Sequence, residues 1–355
     1  MLGIIMAGGQ GSRLRPLTLT RPKPMVEVLG RPVIDFVKEA MENAGINEII
    51  VTTGYRGEQL KDHVSTWNQS TVGGIQASVN QEATPMGTAG SVGLLREQIK
   101  TTCVVGSGDS VASFDINRLL QQHRSNNAKV TMALWEVENP SEFGIVGLSS
   151  TQDGEVDGSL RSGYIRKFKE KPTPDEAFSN VINAGLYIIE PEVIDLIPEH
   201  EKFDFSKQLF PLVLERGWPM YAETINGVWF DVGHPRELLR AQKTLLEQAK
   251  ELPFSLPKGS WVGNDGFILD DAMVNGDTSS SVVSRGCIVE SSATISGSLL
   301  MDGCRVAADA RISGSILGRD VNILAGAVLT DCVIGDHQVI ESGSVLKSEL
   351  IPRPE

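Results

Sequence analysis

The chain has 355 residues, room for two domains at about 150 residues each, and carries 32 Lys and Arg against 45 Asp and Glu, a formal charge of −13. That balance leaves no broad basic face for a phosphate backbone or an anionic membrane, so neither nucleic acid nor membrane is an expected partner. Hydrophobic residues at 41% and 36 glycines fit a globular chain with many turns and exclude disorder.

Residues 1–7 are apolar, lack a basic n-region and run straight into glycines, and no apolar run approaches the roughly 18 residues of a membrane span. Neither signal peptide nor membrane anchor is predicted. The strand Leu2–Met6 is followed by a helix near 33–44, a strand over Glu48–Thr53, a helix near 57–66 and a strand over 102–105. This alternation predicts an α/β fold of parallel βαβ units with ligands at the carboxyl ends of the strands. Strands over 129–136, 164–168 and 184–189 have shorter connections, which predicts a mixed central sheet. An amphipathic stretch over 235–250 and a segment over 252–258 with two prolines then read as a helical link.

Phe267 is the last aromatic residue, so the remainder must build its core from aliphatic side chains and alanine. Residues compared at a spacing of 17 fall into three columns: Val283, Leu300, Leu317, Ile334; Val289, Val306, Ile323, Ile340; and Ile295, Ile312, Leu329, Leu346. Average composition would place Val, Ile or Leu at about three of those twelve positions. Within a repeat the aliphatics sit six apart with one five-residue step, which makes one turn of a triangular coil. Val262, Ile268 and Val274 supply an earlier turn, giving about five coils between 262 and 347, and Ala293, Ala310, Ala327 and Ser344 suit tight corners. Successive coils about 4.8 Å apart would stack these columns into a continuous core. The chain therefore divides into residues 1–245, a linker over 246–258 and a coil over 259–355. Four cysteines without C-x-x-C spacing predict neither a disulfide framework nor a zinc site, and point to a reducing cytoplasm; Cys287 and Cys304 read as small core fillers.

The strongest local signal follows the first strand: Ala7-Gly8-Gly9-Gln10-Gly11-Ser12-Arg13-Leu14-Arg15-Pro16-Leu17-Thr18, then Arg21-Pro22-Lys23-Pro24-Met25. Glycines after a strand let backbone N–H groups approach an anion, and nearby cations offset its charge. Residues 10–31 hold Arg13, Arg15, Arg21, Lys23 and Arg31 against Glu27 alone, a segment of +4 inside a chain of −13. The spacing fits neither G-x-x-x-x-G-K-[ST] nor G-x-G-x-x-G.

The combination G-G-x-G-x-R-L-x-P-L-T with K-P-M resembles the signature of sugar-1-phosphate nucleotidyltransferases. Further matches follow in order: residues 82–90, Gly108-Asp109, Phe143-Gly144-Ile145-Val146, Phe168-Lys169-Glu170-Lys171-Pro172, Asn183-Ala184-Gly185 and Trp229-Phe230-Asp231-Val232-Gly233. The pattern is nearest to mannose-1-phosphate guanylyltransferases, several relatives of which carry a hexapeptide-repeat tail. The resemblance implies a Rossmann-like nucleotidyltransferase domain followed by a left-handed parallel β-helix. It implies attack of a sugar 1-phosphate on the α-phosphorus of a nucleoside triphosphate with loss of pyrophosphate, catalysed by positioning and charge neutralisation.

By the same resemblance Asp109 and Asp231 would hold Mg²⁺. Each read alone is more readily a turn or N-cap residue, and their joint placement in matching motifs reverses that in favour of the metal. Arg13 would stabilise charge between the α- and β-phosphates, Lys23 would bind the triphosphate and Lys171 the sugar phosphate. Ala7, Gly8, Gly9, Gly11, Ser12, Glu82, Gly87 and Thr88 would complete the nucleotide site; Gly144, Glu170, Asn183 and Gly185 the sugar site. Two positions depart from the pattern: Ser107 replaces Asn before Gly-Asp, and His234 stands where Thr is usual after D-x-G.

Glu82 stands where thymidylyl and uridylyl relatives present Gln. A carboxylate only accepts hydrogen bonds, and guanine offers adjacent N1–H and N2–H₂ donors. Facing the base, it would favour guanine by about 1 to 3 kcal/mol. GTP plus mannose 1-phosphate giving GDP-mannose is the leading expectation. A UTP- or dTTP-dependent glucose-1-phosphate enzyme and a regulatory sensor subunit are the alternatives, and homo-oligomerisation through the coil is expected. A second, acetyl-transferring activity would need a histidine base, and the coil offers only His337.

Overall fold

The computed structural model describes all residues except 55, 69–73, 250, 252, 253, 255, 264, 354 and 355. Residues 250, 252, 253 and 255 of the expected linker over 246–258 thus lie outside the described residues. The chain divides into two compact units: Met1–Gly8 with Phe36–Trp229, and Gly9–Asp35 with Phe230–Glu355.

The first unit is built on a nine-stranded mixed sheet. Its strands are β1 (Leu2–Met6), β2 (Glu48–Thr53), β3 (Gln76–Gln81), β4 (Cys103–Ser107), β5 (Val130–Glu136), β6 (Gly144–Ser149), β7 (Ser162–Glu170), β8 (Val181–Ile189) and β9 (Met220–Thr224). They lie in the order β3-β2-β1-β4-β8-β5-β9-β7-β6. The pairs β3–β2, β2–β1, β1–β4 and β5–β9 are parallel; β8 runs antiparallel to β4 and β5, and β7 to β9 and β6. The strands expected over 102–105, 129–136, 164–168 and 184–189 are present, each within a few residues of its expected limits. Three strands, β3, β6 and β9, were not expected. β3 is a sheet edge whose residues, QASVNQ, are exposed or half-buried, so no continuous apolar run is required of it. Ile4, Ile50, Val105, Met132 and Ile189 anchor the main core.

Parallel pairing brings the carboxyl ends of β1 to β4 to one edge. Ala7 N–H donates to Thr52 O, Glu82 N–H to Thr53 O and Gly108 N–H to Met6 O, so Gly8, Glu82 and Asp109 leave the sheet side by side. Leu186 of β8 pairs with Gly106, which carries residues 183–185 to the same edge.

In the second unit three ladders of short parallel strands form the coil, in register at the 17-residue spacing. Val283 pairs with Leu300, Leu317 and Ile334 in turn; Val289 leads to Val306, Ile323 and Ile340; Ile295 leads to Ile312, Leu329 and Leu346. These aliphatics, with Cys287, Cys304, Cys332 and the corner alanines Ala293, Ala310 and Ala327, form one continuous buried core. The first turn departs from expectation: Gly259–Val262 runs antiparallel to Gly266–Leu269, so Val262 closes a hairpin at the end of the coil instead of entering a parallel ladder. The helix Pro235–Glu247 precedes it, and His234 caps its N-terminus, its Nδ1 accepting from Arg236 N–H at 3.2 Å.

Candidate functional site

At the edge of the first unit's sheet, Glu82 Oε2 accepts from Met86 N–H at 2.9 Å. A Cβ placed on Gly8 would lie 3.7 Å from Glu82 Oε1, so the second carboxylate oxygen stands over the first glycine of the loop. Burial pushes the Glu82 carboxyl above its ordinary range, and the Met86 N–H pulls it partly back. The Ser107 hydroxyl donates to Asp109 Oδ1. Serine at this position thus supplies a donor that orients the neighbouring carboxylate, a function its hydroxyl performs as an amide would.

The loop over 82–90 packs on a segment that sequence reasoning did not single out. Gly87 has φ +76°, and a Cβ there would meet Phe203 O at 2.6 Å. Ala89 and Gly90 N–H both donate to Phe203 O at 3.0 Å. The Thr88 hydroxyl donates to Asp204 Oδ2 at 2.9 Å and accepts from Phe205 N–H at 3.0 Å. Gly87 and Thr88, expected at the nucleotide, are therefore also the joint between this loop and residues 203–205. The sequence signal for that joint was available in Phe203-Asp204-Phe205-Ser206, an aromatic pair around a capping aspartate whose Oδ1 accepts from Ser206 and Lys207 N–H.

The residues expected at the sugar fall in two places within this unit. In β8 the ladder is interrupted between Asn183 and Tyr187. Asn183 Oδ1 accepts from Gly185 N–H at 2.9 Å, and its amide donates to Tyr187 Oη at 2.8 Å. Gly185, at φ +82°, passes so close to Ser107 that a Cβ would lie 3.1 Å from the serine Cβ. Trp229, not predicted as a site residue, donates its indole N–H to Ala184 O at 2.9 Å and packs edge-on against Phe143. Burial first, then the charges of Asp204, Asp109 and Glu170, hold the Tyr187 phenol well above its ordinary range, so its hydroxyl stays neutral among three carboxylates. The second place is the β6–β7 hairpin, where Gly144 pairs with Glu170 and a Cβ on Gly144 would come within 2.8 Å of Glu170 Oε2. Lys171 N–H donates to Phe143 O at 2.9 Å; the residue has φ +45°, a left-handed backbone uncommon outside glycine, and its side chain is exposed.

In the second unit the glycine loop folds back on itself. Gly11 has φ +64°, Thr18 Oγ1 donates to Gly11 O at 2.8 Å, and a Cβ on Gly11 would meet Lys23 Cβ at 2.9 Å. Lys23 is buried, and its ammonium donates to Asp231 Oδ1 at 2.8 Å. Arg13 lies 3.6 Å from Asp231 Oδ2. Gly233 completes the group: a Cβ there would lie 2.9 Å from Arg13 Nη2 and 3.0 Å from Asp231 Oδ2. Arg13, Lys23 and Asp231 are thus brought together. The expected +4 segment is not all available to a ligand, because Arg21 is buried on Asp336 of the coil and Glu27 is buried on Arg319.

Among the described residues no group of three or more His, Cys, Asp or Glu side chains is arranged to hold a metal. The donors on offer are the partly exposed carboxylates of Asp109 and Asp231, hard oxygen ligands held beside a hydroxyl and two cations respectively. Each carboxylate taken by itself is a hard oxygen donor, of the kind that suits a hard divalent cation and not a soft metal.

Residues 2–248 match the Nucleotidyl transferase family, and residues 265–349 match the family described as GlmU-like, C-terminal hexapeptide. The chain is 34% identical over 280 residues to the mannose-1-phosphate guanyltransferase of Eremothecium gossypii, covering 78% of this chain and 73% of that protein. It is 35% identical over 269 residues to the enzyme of that name from Saccharomyces cerevisiae, covering 74% and 70%. Against the Danio rerio protein named mannose-1-phosphate guanylyltransferase catalytic subunit beta it is 33% identical over 255 residues, covering 71% and 66%. With the family matched over most of its length and the glycine loop, Arg13, Lys23 and Asp231 assembled, the chain belongs to the nucleotidyl transferase family and is a sugar-1-phosphate nucleotidyltransferase carrying a hexapeptide-repeat coil.

Proposed function

We propose that the chain transfers the guanylyl group of GTP to mannose 1-phosphate, giving GDP-mannose and pyrophosphate. The observation that carries this reading is the similarity, over about three quarters of the chain, to proteins named for that activity. The position of Glu82 supports the base: its Oε1 stands over Gly8, and both carboxylate oxygens retain a lone pair for the N1–H and N2–H₂ donors of guanine after Met86 takes one on Oε2.

A phosphate oxygen of the sugar attacks the α-phosphorus, the bond to the β-phosphate oxygen breaks, and pyrophosphate leaves with that electron pair. Both reactants are anions, so the chain's task is to align them and offset charge. Ala7, Gly8, Gly9, Gly11 and Ser12 approach the triphosphate through their backbone, Gly87 and Thr88 border the nucleoside, Lys23 binds the phosphates, and Arg13 meets charge developing between the α- and β-phosphates. Lys171 holds the sugar phosphate; Gly144, Glu170, Asn183 and Gly185 bound the sugar. Asp109 and Asp231 hold Mg²⁺, which supplies further neutralisation at the triphosphate when bound.

Two accompanying proposals rest on the same reading. Exposed Val339, Val345 and Leu350 in the last turns support self-association through the coil, checked by sedimentation. Four buried free thiols support a reducing, cytoplasmic setting, and no helix among the described residues is long and apolar enough to cross a membrane. Pyrophosphate release measured with GTP, UTP and dTTP, each paired with mannose 1-phosphate and glucose 1-phosphate, tests the reaction. GTP with mannose 1-phosphate should give the highest kcat/KM, and preference for UTP or dTTP would overturn the guanine assignment.

A further inference from the structure

One corner of the coil carries a column that the aliphatic repeat does not explain: Arg285, Asp302, Arg319 and Asp336, each 17 residues from the next and alternating in sign. The ladder is tied together along the coil, for Asp302 Oδ1 accepts from Arg285 N–H at 3.1 Å and Asp336 Oδ1 from Arg319 N–H at 2.8 Å. Three of the four, Arg285, Arg319 and Asp336, also bond the segment that joins the glycine loop to Lys23 and beyond. Arg285 donates to Gly30 O at 3.0 Å, and Arg319 donates through Nε, at 3.1 Å, and Nη2 to Glu27 Oε1. Asp336 accepts from Arg21 Nη2 and, at 2.5 Å, from Thr20 Oγ1. Order along the segment, 30, 27, 21, runs opposite to order along the ladder, 285, 319, 336, and the two charged residues of the segment, Glu27 and Arg21, each meet the opposite charge while Arg285 meets a carbonyl.

Burial makes this a fixed register. Arg21 is 3% exposed, Glu27 2% and Asp336 8%. Arg21 also points Nη1 at Met301 Sδ, 3.2 Å away, and a Cβ on Gly335 would lie 3.2 Å from Pro16 Cβ, so the corner fits closely around residues 16–21. Ions removed from water in this way tolerate one arrangement only, because any slip leaves a buried charge unpaired. Lys23 follows Arg21 by two residues, and its ammonium meets Asp231.

We propose that Asp336, with Arg319 and Arg285, is a positioning residue of the reaction: the coil's charged corner sets the register of residues 16–30 and thereby where Lys23 stands. The coil is then part of the catalytic apparatus as well as a platform. This rests on the nucleotidyl-transfer reading, and the experiment separates the two by including a measurement that needs no substrate.

The test uses the full chain and the variants Arg21→Ala, Asp336→Ala and the double variant. Hydrogen exchange should accelerate at least tenfold at amides of residues 17–26 in Asp336→Ala, while amides of the aliphatic ladders such as Val306 and Ile323 keep wild-type rates. Turnover, measured with whichever triphosphate and sugar phosphate the wild type prefers, should show kcat reduced about 10- to 100-fold with KM for the sugar phosphate unchanged within threefold. The double variant should lose no more than the worse single one, since one interaction is removed in each. Unchanged exchange in residues 17–26 would overturn the proposal, and so would faster exchange with full kcat, or loss confined to the fraction of unfolded molecules. A wild type inactive on every pair would refute the nucleotidyl-transfer reading, and the exchange result would still decide whether the ladder sets the segment.

Discussion

Gly233→Ala separates the chemistry of the Arg13–Lys23–Asp231 group from its contribution to stability. The added methyl would lie 2.9 Å from Arg13 Nη2, 3.0 Å from Asp231 Oδ2 and 3.2 Å from Oδ1, closer than methyl carbons normally approach such atoms. Arg13 is 65% exposed and sits 3.6 Å from its partner, so its guanidinium can swing into water, and a pair of this kind contributes about 0 to 1 kcal/mol. The backbone at Gly233 is not left-handed, and alanine restricts the unfolded chain, which offsets about 0.4 to 1 kcal/mol. Net stability should therefore change by less than about 1 kcal/mol. Catalysis should not be spared, because a displacement of about 1 Å in a positioned charge costs about a hundredfold in rate, or about 2.7 kcal/mol of barrier. Pyrophosphate release should fall about a hundredfold in kcat/KM while the thermal midpoint moves by only a few degrees. Wild-type turnover in Gly233→Ala would refute the use of this geometry in the reaction.

Gly9→Ala provides a complementary reading, since a Cβ there meets nothing within 4 Å; stability should be unchanged, and a tenfold or greater rise in KM for the triphosphate would report the ligand itself, whereas an unchanged KM would remove Gly9 from the nucleotide site. Glu82→Gln should narrow the preference for GTP over UTP and should also change the pH dependence of stability. Because burial raises the folded-state pKa of Glu82 above its ordinary 4.5, the ionised form is disfavoured in the folded state, and stability is lost as pH rises through that window. The glutamine variant should therefore melt higher than wild type at neutral pH, with the gap closing below pH about 4.5, and a gap independent of pH would contradict the assignment. Leu317→Ala, at a fully buried position of the first ladder, should destabilise the coil by about 2 to 5 kcal/mol in denaturant titration; a loss under about 1 kcal/mol would mean that the ladder collapses around the gap.

What the sequence disclosed depended on how local each constraint was. The coil was legible because its register equals its repeat, so columns at a spacing of 17 coincide with the paired residues. Val262 failed the same test because the first turn ends in a hairpin, and the spacing alone does not tell a parallel coil from its antiparallel cap. The grouping of Arg13, Lys23 and Asp231 falls within motifs whose glycines have local reasons, such as the closeness of Gly11 to Lys23. The contacts of Asp204, outside every motif, and of Trp229, inside one but given no role, were not legible, because they are hydrogen bonds to Thr88 and Ala184, residues 116 and 45 positions away. Arg21, counted only in the charge of the +4 segment, has a partner equally remote, Asp336, 315 residues later.

That partner had left a mark in the sequence, although not in the aliphatic columns. In strands of period two, the neighbour of each inward aliphatic faces outward and should be polar if the face meets water. On the first face the outward neighbours are Val282, Leu299, Ile316 and Val333, and all four are buried. Near its start this face is covered by the helix Pro235–Glu247, since Leu239 and Leu246 line one cavity with Val282. The corner beside that face carries the Arg-Asp-Arg-Asp column, where the other outward columns mix Ile288, Arg305, Asn322 and Val339, or Thr294, Arg311, Val328 and Val345, without order. In this coil the face whose outward residues are as apolar as the core thus lies beside the corner that alternates in charge. The occupant of that corner is the segment holding Arg21 and Glu27.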